Sequence, residues 1–175
     1  MSKSMKTNLL ELSKSLHGDA DALLKKIGLI KKLSKYGEAQ IGGSYDLNLM
    51  VDGDIDILVV NKKINKQKSV DILKELVMQD DFNGYLYYDW AKRRHKGFPK
   101  GYYIGLKTYF RERKWKIDVW FVEASHKPAE KLMNFIKSNL NDKNKKIILD
   151  LKYKAKSSNS NLSSSDIYKK VLLKD

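Results

Sequence analysis

Two aspartates stand two residues apart in an otherwise apolar run, Asp54-Ile55-Asp56-Ile57-Leu58-Val59-Val60. In a strand, residues i and i+2 share a face. Asp54 and Asp56 therefore point one way, and Ile55, Ile57 and Val59 point into a core. Neighbouring carboxylates repel unless something positive compensates them. A divalent cation does this well, and Mg²⁺ favours carboxylate and phosphate oxygens, with water filling its remaining positions. Asp118 repeats the pattern. In Lys116-Ile117-Asp118-Val119-Trp120-Phe121-Val122 it lies opposite the apolar face of Ile117, Val119 and Phe121. If the two strands pair, three carboxylates converge. Three carboxylates can hold two Mg²⁺ (or Mn²⁺) ions roughly 3.5–4 Å apart, the arrangement that serves phosphoryl and nucleotidyl transfer.

Gly43-Ser44 offers a place for phosphate. A Gly-rich turn that opens a helix exposes backbone N–H groups, and the helix N-terminus adds a favourable dipole. The Ser hydroxyl can donate to a phosphate oxygen. A third feature is the basic loop Lys92-Arg93-Arg94-His95-Lys96, which lies near Phe98, Tyr102 and Tyr103. Basic groups among aromatics suit single-stranded nucleic acid or a triphosphate. A solvated loop beside a Tyr-rich strand has the same composition.

These residues need elements to hold them. Leu9, Leu12 and Leu16 recur at helical spacing, and His17-Gly18-Asp19 interrupts them. Leu23, Leu24, Ile27, Ile30 and Leu33 trace a second helix that Gly37 ends. Glu38–Ile41 is a short strand. Tyr45–Met50 reads as a short helix with Ser44 as its N-cap, and Asp54–Val60 as a buried strand. A helix carries Val70, Ile72, Leu73, Leu76 and Val77. Three strands follow: Gly84–Trp90, Gly101–Phe110 and Lys114–Val122, the last two a hairpin turning at Arg111-Glu112-Arg113. Helices from Pro128 to about Leu140 and from Asp142 to about Tyr153 come next. A Ser/Asn-rich linker, residues 157–165, leads to a last helix capped by Ser165. The order implies an α+β domain with a mixed sheet, not a doubly wound parallel one.

Composition narrows the class further. Hydrophobic residues make up 42% of 175 residues, too many for a disordered chain and enough for one packed domain. There is no apolar run of membrane length and no apolar N-terminal core of signal-peptide type, so a cytoplasmic protein without a membrane partner is expected. The absence of cysteine excludes disulfides, thiolate-bound zinc and thiol catalysis. The charge is uneven. Residues 1–60 hold equal numbers of Lys and acidic residues, so the whole +14 excess falls in residues 61–175. That half suits a polyanion: RNA, other nucleic acid or a nucleoside triphosphate.

At Gly43-Ser44, Asp54-Ile55-Asp56 and Asp118 the sequence resembles the nucleotidyltransferase superfamily of DNA polymerase beta, CCA-adding enzymes, poly(A) polymerases and antibiotic nucleotidyltransferases. The resemblance covers roughly residues 38–122 and the helix before them. In size the chain is similar to the minimal nucleotidyltransferases. The resemblance implies a mixed-sheet nucleotidyltransferase fold flanked by helices, with C-terminal helices. It implies a domain over residues 1–156, with its core at about 20–125, and a linker and helix over 157–175. It implies that Gly43 and Ser44 bind an NTP such as ATP, that Asp54 and Asp56 ligate both metals, and that Asp118 ligates the catalytic metal and helps activate an acceptor hydroxyl on RNA, a protein or a small molecule. Many minimal members carry Arg and Gly soon after Gly-Ser, where this chain has Tyr45-Asp46-Leu47-Asn48, and Ser before the Asp pair, where it has Gly53. Asp46 and Asp52 would repel a triphosphate if they faced it. The alternative on the same fold is a non-catalytic nucleotide- or RNA-binding module, or an antitoxin-like partner protein.

Overall fold

The apolar faces of the strands fix where the main core lies. β2 (Asp54–Asn61) buries Ile55, Ile57 and Val59, and β5 (Arg113–Glu123) buries Ile117, Val119 and Phe121. These side chains pack with Leu16, Leu23 and Ile27 of α1 (Leu9–Ile27), Leu29 and Leu33 of α2 (Leu29–Leu33), and Ile72 and Leu76 of α4 (Lys66–Val77). The computed structural model describes residues 8–63, 65–92, 98–124 and 130–173.

β1 (Glu38–Gly42), β3 (Gly84–Asp89) and β4 (Gly101–Phe110) complete a five-stranded sheet in the order β1-β2-β5-β4-β3. β2 and β5 run parallel, and every other neighbouring pair is antiparallel. The sheet is mixed and the architecture is α+β, as the sequence implies. No helix among the described residues is long and apolar enough to cross a membrane.

A second, smaller core holds the C-terminal helices. α5 (Glu130–Asn139), α6 (Asp142–Ser157) and α7 (Ser164–Leu172) bury Ile136, Ile148, Leu149, Ile167 and Tyr168 against Leu47 and Leu49. Leu47 and Leu49 follow directly on α3 (Gly43–Asp46), so these helices anchor the segment between Gly-Ser and the Asp pair.

Four elements differ from the sequence expectation. α1 runs unbroken through Gly18 and stops at Gly28, whose φ of 65° caps it. One helical Gly costs only about 1 kcal/mol, less than the burial of Leu16, Ala20, Leu23 and Leu24 returns. Asp19, inside the helix, is buried and paired with Arg111 at 2.7 Å and Arg113 at 3.5 Å. α3 is one turn starting at Gly43, so Ser44 lies inside it and Gly42 is the N-cap. The hairpin turns on Arg111 and Glu112 alone, both at positive φ, as a two-residue connection with the strand twist requires. Ser163, not Ser165, caps α7, exchanging hydrogen bonds with Asp166.

Candidate active site

Strand register assembles the acids. In the parallel β2–β5 pair, Asp56 stands opposite Asp118 and Asp54 opposite Lys116. On the other side of β2, Gly42 stands opposite Asp56. The chain then turns into α3 at Gly43, with φ of 62°. A Cβ at Gly43 would lie 2.0 Å from Asp56 Oδ2. Glycine is needed there twice over, for the backbone conformation and for the carboxylate beside it. Gly53 is similarly constrained, because a Cβ would lie 2.4 Å from the Lys114 carbonyl oxygen. This accounts for glycine at this position.

The carboxylates have few partners. Tyr103 donates its hydroxyl to Asp118 Oδ1 at 2.7 Å, and Lys116 donates to Asp118 Oδ2 at 2.5 Å. The same ammonium is 3.8 Å from Asp54 Oδ1, which is buried and accepts no hydrogen bond. Burial pushes the Asp54 carboxyl up to about 6; Lys116 pulls it down, and Asp56 and Asp118 push it further up. Burial, and then Asp118, also raise Asp56. Among the described residues, no three acidic or histidine side chains stand close enough to hold one metal ion. The Lys116 ammonium, paired with Asp118 and 3.8 Å from Asp54, compensates part of their charge. The donor set still suits a hard divalent cation. It consists of carboxylates on one face, one with a buried oxygen that accepts no hydrogen bond.

No protein-family model matches this chain, and no characterised protein matches it in sequence. Its fold does match solved structures. The Cid1 poly(U) polymerase, solved with Mg and 3′-dATP bound, aligns with a TM-score of 0.54 at 15% identity over 93% of this chain and 53% of that one. The GLD-2/RNP-8 complex aligns with a TM-score of 0.52 at 14% identity over 91% of this chain and 58% of that one. A cytoplasmic RNA terminal U-transferase aligns with a TM-score of 0.51 at 16% identity over 88% and 50%. The chain has the nucleotidyltransferase fold. It spans between half and three-fifths of the length of these neighbours.

Within this nucleotidyltransferase fold, α6 brings two lysines that sequence reasoning missed. Lys152 and Lys156 line a cavity of about 160 Å³ together with Ser44, Asp52, Asp54 and Ser164. Lys152 is buried and donates to the Leu49 carbonyl at 2.7 Å. Burial pulls its ammonium down to about 8, against the opposite pull of Asp54 and Asp56. Burial also lowers Lys156, which pairs with Asp52. The sequence could not single them out, because α6 also carries Lys143, Lys145, Lys146 and Lys154. The two extra acids are both neutralised, Asp52 by Lys156 and Asp46 by Lys137 at 2.7 Å. Tyr45 ties α3 to α1 by stacking on His17 and donating to Asp21. Of the basic loop, Lys92 is exposed, and Arg93, Arg94 and Lys96 lie outside the described residues.

Proposed function

We propose that this chain is a metal-dependent nucleotidyltransferase that moves a nucleoside monophosphate from an NTP to a hydroxyl. The observation that carries the reading is the register of Asp56 opposite Asp118, with Asp54 Oδ1, which accepts no hydrogen bond, on the same face. Asp54, Asp56 and Asp118 would hold Mg²⁺ or Mn²⁺. A bound metal would lower the pKa of the acceptor hydroxyl and neutralise charge on the departing pyrophosphate. Gly43 and Ser44 would receive the phosphates at the start of α3. Lys152 and Lys156, reaching the same cavity from α6, would bind the triphosphate as charged donors. The acceptor hydroxyl would give up its proton to solvent as its oxygen bonds to the α-phosphorus and the bond to pyrophosphate breaks. Tyr103 and Lys116 position the Asp118 carboxylate.

The test is transfer of labelled NTP onto RNA with Mg²⁺, alongside an Asp54→Ala/Asp56→Ala variant. Label is expected with the unaltered chain and absent with the variant. Transfer that persists in the variant removes these residues from the mechanism. A nucleotide-binding module without catalysis is the second reading. It is favoured by Lys116, whose ammonium already compensates Asp118. Calorimetry separates the two: NTP binding that is indifferent to Mg²⁺, with no transfer, supports the module.

A further inference from the structure

Beside the acid row of the sheet lies an aromatic row. Tyr88 of β3 stands opposite Tyr103 of β4, and Tyr103 stands opposite Trp120 of β5. Trp120 is two residues beyond Asp118 on one strand, so the two share a face. The ring centroids are 5.9 Å apart for Tyr88–Tyr103 and 4.9 Å for Tyr103–Trp120. Trp90 and Phe98 close the circuit. Tyr88–Trp90 is 5.1 Å, Trp90–Phe98 is 6.3 Å at an interplanar angle of 5°, and Phe98–Trp120 is 5.5 Å at 20°. The opposite face of these strands carries the core through Ile104, Leu106 and Val119. The aromatic face is partly open, with Tyr88 44% and Phe98 45% exposed.

The patch is joined to the acids by Tyr103, whose ring belongs to the circuit and whose hydroxyl reaches Asp118. Gly105 makes that reach possible, since a Cβ there would lie 2.6 Å from the Tyr103 hydroxyl. An outward sheet face is ordinarily polar. Tyr88 and Phe98 offer the exposed ring surface, Trp90 and Trp120 are half-buried beside them, and buried Tyr103 supports them from within the sheet. Exposed Lys92 and Lys100 flank the strands that carry the rings, and the chain has a formal charge of +14. Aromatic rings beside basic groups bind unpaired bases and their phosphates together.

We infer that this patch is a stacking platform for the terminal bases of a single-stranded polynucleotide acceptor, holding its end beside Asp118. The inference rests on the nucleotidyltransferase reading of the acid row and names the acceptor for it. Binding is measured by fluorescence anisotropy with a labelled single-stranded RNA of about ten nucleotides, the matching DNA, and the RNA paired into a duplex. No NTP is present. Tyr88→Ala/Phe98→Ala is expected to weaken single-strand binding roughly tenfold, and Tyr88→Phe to leave it unchanged. Tyr153→Ala, which alters an exposed tyrosine on α6, is the neutral control. The duplex is expected to bind more weakly and to ignore the substitutions. Tyr88→Leu/Phe98→Leu keeps apolar volume without rings and serves if the alanine variant is poorly folded. A preference between RNA and DNA identifies which source the platform takes.

Single-strand binding equal in the unaltered and ring-deleted proteins overturns the inference, as does no binding at all. Transfer onto RNA that continues unchanged in the ring-deleted protein overturns the platform and leaves the transferase reading standing. Ring-dependent binding with no transfer does the reverse.

Discussion

The Asp54 carboxyl is held in a place that disfavours its charge. Its value in the folded chain, about 6, stands above the ordinary 3.8. Between those values the folded state binds more protons than the unfolded state. Stability from this group is therefore full below about pH 4 and is lost as pH rises through about 6. Asp54→Asn is expected to stabilise the chain above about pH 7, by on the order of 1 kcal/mol after allowing for solvent screening of its exposed edge. At about pH 4 the gain should vanish. Urea unfolding at the two pH values measures the difference, and an equal effect at both would show that desolvation is not the cause. Gly43→Ala should act in the opposite direction. It places a Cβ where Asp56 stands and demands φ of 62° from alanine. A loss of about 2 kcal/mol is expected, with loss of nucleotidyl transfer, measured by urea unfolding and labelled NTP. Gly43, Ser44 and the three acids were legible in the sequence because each follows from a short-range rule: turn chemistry or strand alternation. Tyr103 and Lys116 were not legible as partners of Asp118. Tyr103 meets it only because two strands pair in one register, and Lys116 had a second acid, Asp54, within reach across the β2–β5 pair.

At the scale of elements, α6 is where sequence and structure part. A helix with lysines on several sides reads as a solvated surface. Yet Lys152 is buried, because the second core seats its helix against Leu47, Leu49 and α7. Its ammonium, at about 8, loses its proton sooner than an ordinary lysine. A protonated Lys152 attracts a triphosphate and a neutral one does not. NTP affinity should therefore fall as pH rises through about 8, and Lys152→Met should bind NTP more weakly and flatten that profile. Calorimetry in the absence of divalent metal reads both effects, and an unaltered profile in Lys152→Met would take the lysine out of the site. α1 shows the same dominance of packing over local preference. Gly18 looks like a break, but the buried stripe on both sides of it and the Asp19 pairs with Arg111 and Arg113 hold the helix straight through.

At the scale of the whole molecule, the strands were legible one by one and their neighbours were not. Alternation says which face of a strand is buried; it does not say that β2 and β5, separated by two other strands in the sequence, lie parallel and adjacent. Charge is a whole-molecule property too. Residues 1–60, of zero net charge, supply the Gly-Ser turn and the Asp pair, and the basic remainder supplies Lys107, Lys114 and Lys116 along a groove of about 620 Å³ that Asp54 also lines. Two kinds of force then act on a polynucleotide. Contacts from lysines to phosphates release counterions, so affinity falls with salt by a slope of about −0.7 per phosphate on a single strand. Stacking releases none. Tyr88→Ala/Phe98→Ala should therefore shift the line of log affinity against log salt downward without changing its slope. Lys92→Ala/Lys100→Ala should make the slope shallower by roughly 1.4, as for two lost phosphate contacts. Anisotropy titrations over a range of salt measure both lines. A ring deletion that changes the slope, or a lysine pair whose removal leaves it fixed, would mean that rings and charges do not divide the work in this way.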